Sequence, residues 1–370
     1  MTFLIRLVPV LLIAPIMVYF FFYLRRMIRF WLPLPWKRGY ALILAAICIG
    51  IGCLAINAFG SAIVVVMHLF LVCVVVDGIH LVVRGHLKGI WWPKVYQSGV
   101  VPLAITILIL TYAYWNMQHV VQQNYTIQTE KEIRPEGYRI AFLSDLHFGM
   151  SMQPEDLQQY AEQIEAEQPD LVLLGGDIVD EQTTLEEMQL AFQILGSIQS
   201  TYGTYYVYGN HDRARYNRQM DYTTDQLDAA IQAGGVHALS DESLPITDDL
   251  VLVGREDSSF SGTRQRAPSA QLLSAVDPAD FILLLDHQPR DLAVNQENGV
   301  DLQLSGHTHA GQIWPIGLIG MLFHINEMNY GYQQIEDFQI IVSSGMAGWG
   351  YPLRTSGHSE YVMIQIEKKA

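Results

Sequence analysis

Acidic residues are almost missing from the first third of this 370-residue chain: residues 1–124 hold nine Lys and Arg but one acid, Asp77. Cysteine is missing from the rest. Cys48, Cys53 and Cys73 all lie in apolar runs before residue 124, so no disulfide framework staples the remainder, and cysteine usage does not report the compartment. Basic residues are scarce after residue 124, where thirteen Lys and Arg face thirty-six acids, a net charge of −23 against +8 before it. So acidic a domain is a poor partner for nucleic-acid phosphates, which need Lys and Arg to neutralise them. Repeats and low-complexity tracts are also missing, which excludes collagen-like and disordered classes. The chain-wide averages, 50% hydrophobic and net −15, therefore hide two unlike parts. Residues 1–124 read as a transmembrane anchor and residues 125–370 as an acidic globular domain.

Four apolar runs occupy the first part, at about Phe3–Tyr23, Tyr40–Phe59, Ala62–Val83 and Gly99–Trp115. Crossing a bilayer takes about 20 apolar residues. The second and third runs meet that length, the fourth is slightly short, and the first carries Arg6, Pro9 and Pro15. Arg25 and Arg26 follow the first run instead of preceding it, which argues against a cleaved or twin-arginine export signal. Arg25, Arg26, Arg29, Lys37 and Arg38 lie between runs one and two, and Arg84, Lys88 and Lys94 between runs three and four. The positive-inside rule places both basic loops in the cytoplasm, so the globular domain is expected on the outer side, even if the first run is re-entrant. Trp31, Trp36, Trp91 and Trp92 sit where interfacial aromatics belong. Asp77 reads either as an intramembrane relay or, in the simpler account, as the partner of a nearby basic group.

From Tyr138 onward the pattern is strand, polar helix, strand, helix, strand, which predicts an α/β domain. Short apolar runs at Tyr138–Leu143, Leu171–Leu174, Tyr205–Val207, Leu250–Val253, Phe281–Leu285, Leu302–Leu304, Ile340–Val342 and Tyr361–Ile366 predict buried strands. Helical spacing predicts helices over Pro154–Gln168, with Ser151 as a cap, over Leu185–Ile198, and over Thr224–Ala233, stopped by Gly234 and Gly235. Gly254–Pro268 reads as a long loop.

Metal-binding residue types recur at the ends of these strands: Asp145 and His147, then Asp177 and Asp180, then Asn210, His211 and Asp212, then His287, then His307 and His309. In an α/β sheet the strand carboxyl ends share one edge, where ligands bind. Residues i and i+2 of an extended segment point to one side, so Asp145 with His147, and His307 with His309, suit one ion each. Imidazole, carboxylate and amide oxygen without thiolate suit Mn, Fe or Zn. Seven such donors, Asp145, His147, Asp177, Asn210, His287, His307 and His309, are too many for one ion and fit two sharing a carboxylate. Taken singly, each residue is more often a turn, cap or core residue; the joint pattern carries the reading.

The blocks D-x-H, G-D-x-x-D, G-N-H-D, a lone His and G-H-x-H, in that order between Asp145 and His309, resemble the calcineurin-like metallophosphoesterase superfamily. The resemblance covers residues 138 to about 366. GHTHAGQ and the stretch Gly345–Arg354 look like the bacterial branch that includes membrane-anchored and exported phosphodiesterases. The resemblance implies a sandwich of two β-sheets flanked by helices, here following the roughly four transmembrane helices read from the apolar runs. It implies two divalent ions, with Mn favoured: Asp145, His147 and His309 on the first, Asn210, His287 and His307 on the second, Asp177 bridging. A metal-bridging hydroxide would be the nucleophile, His211 the general acid, and Asp180 the residue holding its ring. Protein Ser/Thr phosphatases carry Arg where Glu181 stands here, which argues against that branch. Arg213 reads equally as a phosphate contact or a salt bridge, Asp212 as an orienting residue or a helix cap, and Gln312, Trp314 and Tyr351 as pocket or packing residues. His68, His80, His86, His119, His237, His324 and His358 read as lying outside the site, with His324 the nearest exception.

The expected function is hydrolysis of a phosphodiester, lipid-linked or envelope-derived, by a multi-pass protein of the bacterial plasma membrane. A cytoplasmic domain acting on a nucleotide-linked lipid precursor is the second enzyme reading. A non-catalytic metal-binding membrane sensor or scaffold of the same fold is the alternative class, and its hallmark would be a lost ligand or lost acid. Neither loss is found here.

Overall fold

A computed structural model describes the chain except residues 1, 33, 34, 36, 58, 59, 87–90, 214–219, 260–265 and 370, and describes residues 2–10 by their backbone alone. Trp36, Lys88, the side chains of Arg6 and Pro9, and the middle of the expected loop at 254–268 therefore lie outside the described residues. The chain divides into two compact units, Met1–Tyr114 and Trp115–Ala370.

The first unit contains α1 (Thr2–Trp31), α2 (Arg38–Ala55), α3 (Ser61–Val83), α4 (Trp91–Ser98) and most of α5 (Val100–Gln118). α1, α2, α3 and α5 are long and apolar enough to cross a membrane. α1 covers the whole apolar run read at Phe3–Tyr23 and continues through Arg25 and Arg26 to Trp31. The amphipathic α4 has no counterpart among the expected elements; its eight residues are too few for an apolar run. Asp77 accepts a hydrogen bond from the Tyr19 hydroxyl at 2.7 Å and pairs with Arg26 at 3.3 Å, the simpler of its two readings.

The second unit begins with β1 (Val120–Thr129), then β2 (Tyr138–Leu143), α6 (Pro154–Ala166), β3 (Leu171–Leu174), α7 (Leu185–Ser197), β4 (Thr204–Val207), α8 (Thr224–Ala233) and β5 (Val236–Leu239). It continues with β6 (Glu242–Pro245), β7 (Leu250–Gly254), α9 (Ser269–Leu272), β8 (Phe281–Leu285), α10 (Leu292–Glu297), β9 (Leu302–Ser305), α11 (Ile316–Leu322), β10 (Gly331–Ile335), β11 (Phe338–Val342) and β12 (Ser359–Lys368). These strands form two six-stranded sheets, ordered β1-β12-β2-β3-β4-β5 and β10-β11-β9-β8-β7-β6. β2, β3, β4 and β5 are mutually parallel, as are β7, β8, β9 and β11; β12 runs antiparallel to β2 and parallel to β1.

The continuous apolar strands have a simple cause: both of their faces are covered. Along β2, Tyr138, Ile140 and Phe142 face the layer between the sheets, with Leu171, Leu173, Leu252, Leu283 and Leu304. The intervening Ala141 and Leu143 face the helix layer, with Leu157 of α6, Phe192 of α7 and Leu227 of α8. Burying each large apolar side chain stabilises the fold by about 1.5–3 kcal/mol before entropy is counted. α6 is capped by Gln153, not Ser151: Pro154 occupies the first helical position and the Gln153 N–H donates to the Asp156 carboxylate at 3.3 Å. α7 starts on a reciprocal box in which the Glu187 N–H donates to Thr184 Oγ1 and the Thr184 N–H donates to the Glu187 carboxylate.

Four strands escaped the sequence reading. β1 is largely polar and holds its register by parallel pairing with β12 from Val120↔Ser359 to Thr129↔Lys368. The domain boundary placed at residue 124 therefore cuts through a strand of the second unit. β5 and β6 have mixed faces, and β10 is an edge strand with three exposed residues, so none presents an apolar run.

Candidate metal centre

The turns that leave β2, β3, β4, β8 and β9 meet at one end of the sandwich. Asp145 and His147 follow β2, Asp177 follows β3, Asn210 and His211 follow β4, His287 follows β8, and His307 and His309 follow β9. Five of the expected ligands are not extended at all: φ is +53° at Asp145, +41° at His147, +50° at Asp177, +71° at His307 and +50° at His309. Left-handed backbone costs energy for residues with a side chain and persists only where surroundings over-determine it. The i, i+2 argument from extended geometry is thereby corrected: Asp145 and His147 share a side because a turn puts them there.

Two glycines make the approach possible. A Cβ on Gly306 would lie 2.1 Å from Asp145 Oδ2, and one on Gly209 would lie 2.2 Å from Asp177 Oδ1. Gly176, at φ +88°, serves the turn itself. Asp212 ties the loops together, since its buried carboxylate accepts from the backbone N–H of Asp177 (2.8 Å), Val179 (3.2 Å) and Gly209 (2.6 Å). Of its two expected readings, orienting residue and helix cap, this arrangement is the first.

Two donor groups result, Asp145–His147–His309 and Asp177–His287–His307, each with ligand atoms within 4.8 Å of one another. Asp177 Oδ2 lies 3.1 Å from His287 Nε2 and 3.9 Å from His147 Nε2, so it faces both groups. His309 Nε2 lies 3.5 Å from Asp145 Oδ1 and 3.3 Å from His147 Nε2. Asn210 Oδ1 lies 3.1 Å from His287 Nε2.

The donor set fits cations. His287 donates from Nδ1 to the Gly175 carbonyl at 2.8 Å, so its Nε2 meets two oxygen acceptors with a lone pair unless that nitrogen is also protonated. Burial and neighbouring imidazoles drive the His307 pKa down to about 3, and burial with the His147 charge drives His309 well below its ordinary value. Neutral imidazole is the form that ligates metal. Burial opposes ionisation of Asp177, but His287 and His211 outweigh it and hold that carboxyl well below its usual range. Burial opposes charge on His287, but the Asp177 carboxylate outweighs it and raises that imidazole well above its ordinary value; a site that gathers positive charge beside buried carboxylates suits a divalent ion, which would displace that proton.

His211 lies beside these groups, its backbone N–H donating to Asp177 Oδ1 at 2.8 Å and its ring 4.8 Å from the Trp349 ring. Its Nδ1 meets both oxygens of Glu181, at 3.1 and 3.0 Å. Asp180, expected to hold this ring, is turned elsewhere. Its Oδ1 accepts the Gln182 N–H at 2.7 Å within the turn, which directs Oδ2 to His147 Nδ1 at 3.3 Å. In the sequence Glu181 stands out only as a departure from Arg, and its position directly after Asp180 is the available signal for this contact.

Three further residues resolve into structural roles. Arg213 pairs with Glu256 at 2.8 Å and lies over the Tyr208 ring. The Gln312 side-chain amide donates to the Trp349, Tyr351 and Leu353 carbonyls at 3.2 Å each. Arg354, fully buried and missed from sequence, donates to the His309 and Ser344 carbonyls at 3.0 Å and to Ala347 at 2.5 Å. It thus backs the His309 ligand loop.

Residues 138–311 match the calcineurin-like phosphoesterase family. An uncharacterized metallophosphoesterase of Bacillus subtilis, YkuE, is 30% identical over 246 residues, 63% of this chain and 80% of that protein. The chain belongs to the calcineurin-like metallophosphoesterase family. An uncharacterized metallophosphoesterase of Helicobacter pylori J99 is 31% identical over 66% of this chain, which spans only 62% of that relative's length. A transmembrane protein with metallophosphoesterase domain from Danio rerio is 27% identical over 74% of this chain and 63% of its own length. Membership supports a metal-dependent phosphoesterase with two divalent ions, and this metallophosphoesterase carries four candidate membrane helices.

Proposed function

We propose that this chain is a membrane-anchored two-metal phosphoesterase that hydrolyses a phosphodiester. The helices before β1 serve as the anchor, and the following domain lies on the outer side of the bacterial plasma membrane. The observation that carries the catalytic reading is the pair of buried donor groups joined through Asp177, 3.1 Å from His287 and 3.9 Å from His147. Asp145, His147 and His309 would hold one ion and Asn210, His287 and His307 the other, with Asp177 between the two groups. Two divalent ions bound there, Mn²⁺ favoured among Mn, Fe and Zn, supply Lewis acidity and an activated water. His211 protonates the leaving-group oxygen from Nε2, because Glu181 occupies Nδ1 and holds the ring plane. The Trp349 ring packs against this imidazole at 4.8 Å. Sidedness rests on the basic loops of the first unit, and a lipid-linked or envelope phosphodiester is the substrate that an anchored enzyme meets most often.

The test is full-length protein in detergent, loaded with Mn²⁺ and assayed on an alkyl phosphodiester, whose leaving group needs a proton to depart. Asp177→Asn is expected to lose bound metal and all turnover, whereas His211→Asn keeps its metal and loses turnover by about 10²–10⁴-fold. Equal metal loss in both variants would overturn the division of roles, and full turnover by His211→Asn would remove it as the acid.

A further inference from the structure

Exposed large apolar side chains are rare in the second unit after the start of β1. Among the described residues they are Val294, Tyr332 and eight within residues 314–325. Trp314, Leu318, Met321, Leu322, Phe323 and Ile325 belong to this group, with Phe323 at 74% and Leu322 at 67% exposure. A contiguous apolar patch on an otherwise polar domain marks a binding surface. Residues 312–325 contain no Asp, Glu, Lys or Arg, although residues 125–370 carry a net charge of −23.

The last turn of α5 is bonded into the same neighbourhood. The Asn116 side-chain amide donates to the Gly357 carbonyl at 2.8 Å and to the Arg354 carbonyl at 3.1 Å. The adjoining loop holds the start of the apolar segment: Thr355 Oγ1 accepts from the Trp314 N–H at 2.9 Å, and Ser356 Oγ donates to the Ala310 carbonyl at 3.0 Å. Only His119 separates the end of α5 from β1. A membrane helix that ends here keeps this segment at a high effective concentration near lipid.

We propose that residues 314–325 form a second membrane contact, lying in the bilayer interface with the apolar side of α11 among the lipid headgroups and upper acyl chains. The proposal rests on the reading of α5 as a membrane-spanning helix. Interfacial helices of this kind sit about 5–10 Å into the headgroup–acyl boundary, with an indole suited to its polar edge. The charge-free sequence favours lipid over a charged protein partner, because nothing in it would be stranded in an apolar medium. α11 follows the His309 loop directly, so the contact lies only a few residues along the chain from a candidate metal-binding side chain.

Full-length protein with Cys48, Cys53 and Cys73 replaced by Ala is labelled with a nitrobenzoxadiazole dye at Phe323→Cys or Leu318→Cys. It is reconstituted in phosphatidylcholine–phosphatidylglycerol vesicles containing doxyl-labelled lipid. Labels at Gln232→Cys, exposed on α8, and Val82→Cys, exposed on α3, are the controls. The expected result is a blue shift and loss of emission at Phe323, Leu318 and Val82, with neither at Gln232. Quenching at Val82 without quenching at Phe323 and Leu318 would overturn the interfacial contact while leaving the anchor in place. Absence of quenching at Val82 would overturn the anchor reading and the contact with it. Oxidative cross-linking at Phe323→Cys without lipid quenching would assign the patch to a second copy of the chain and equally overturn the proposal.

Discussion

Replacing Glu181 by Gln separates the geometry of this structure from the ring-holding role that the family resemblance implied for Asp180. The Glu181 carboxylate meets His211 Nδ1 at 3.0 Å with both groups almost fully buried. Gln keeps the size and one acceptor oxygen but removes the charge. A hydrogen bond to an ionised group contributes about 1.5–3 kcal/mol and a neutral one about 0.5–1.5 kcal/mol. The difference, about 1.5 kcal/mol, corresponds to roughly a tenfold fall in kcat. Metal content is expected to be unchanged, since Glu181 belongs to neither donor group. The loss should be small for a p-nitrophenyl leaving group, which departs readily without a proton, and larger for an alkyl diester. A general destabilisation of the site would slow both equally. Steady-state kinetics on the two substrates, with metal analysis, reads this out. The reasoning is refuted if Glu181→Gln turns over normally on both substrates while Asp180→Asn, metal intact, shows the leaving-group dependence.

Gly306→Ala places a methyl group 2.1 Å from Asp145 Oδ2, which must move, so bound metal should fall towards one equivalent per chain by elemental analysis. Arg354→Met removes three hydrogen bonds to the His309, Ser344 and Ala347 carbonyls and leaves buried acceptors unsatisfied, each at a cost of about 1–3 kcal/mol, read as a lower melting temperature. Asp249 is held below the usual carboxylate range: burial opposes ionisation, but hydrogen bonds from Thr247, Tyr138 and the Arg134 N–H outweigh it. A depressed carboxyl contributes stability above its unfolded pKa, near 3.9, that is lost as pH falls through the folded value. Asp249→Ala is therefore expected to be less stable by about 2 kcal/mol at pH 7, with the gap to the parent protein closing below about pH 4 in thermal melts.

The strands that build the sandwich interior were legible because burial on both faces demands an unbroken apolar run, as in Phe281–Leu285. The convergence of the candidate metal-binding residues was legible for a different reason. Ligation needs particular atoms, and Asp, His and Asn recur after strand after strand with spacing that chance does not supply. Four apolar helices could be counted because runs of some 18–23 apolar residues stand out from the composition around them. Edge strands such as β1 and β10 could not, since their residues answer to a neighbouring strand far along the chain, Ser359–Lys368 for β1 and Phe338–Val342 for β10. Tertiary structure alone decided which carboxylate meets His211. Asp180 and Glu181 are adjacent in sequence, and the turn through Gln182 directs one towards His147 and the other towards His211. It also decided that Asp212 gathers three backbone N–H groups and that Arg354 braces the His309 loop. Composition and spacing along the chain thus announce the chemistry, while the pairing of polar groups depends on distances of a few tenths of an ångström, which exist only once the loops from five strands have closed on one another.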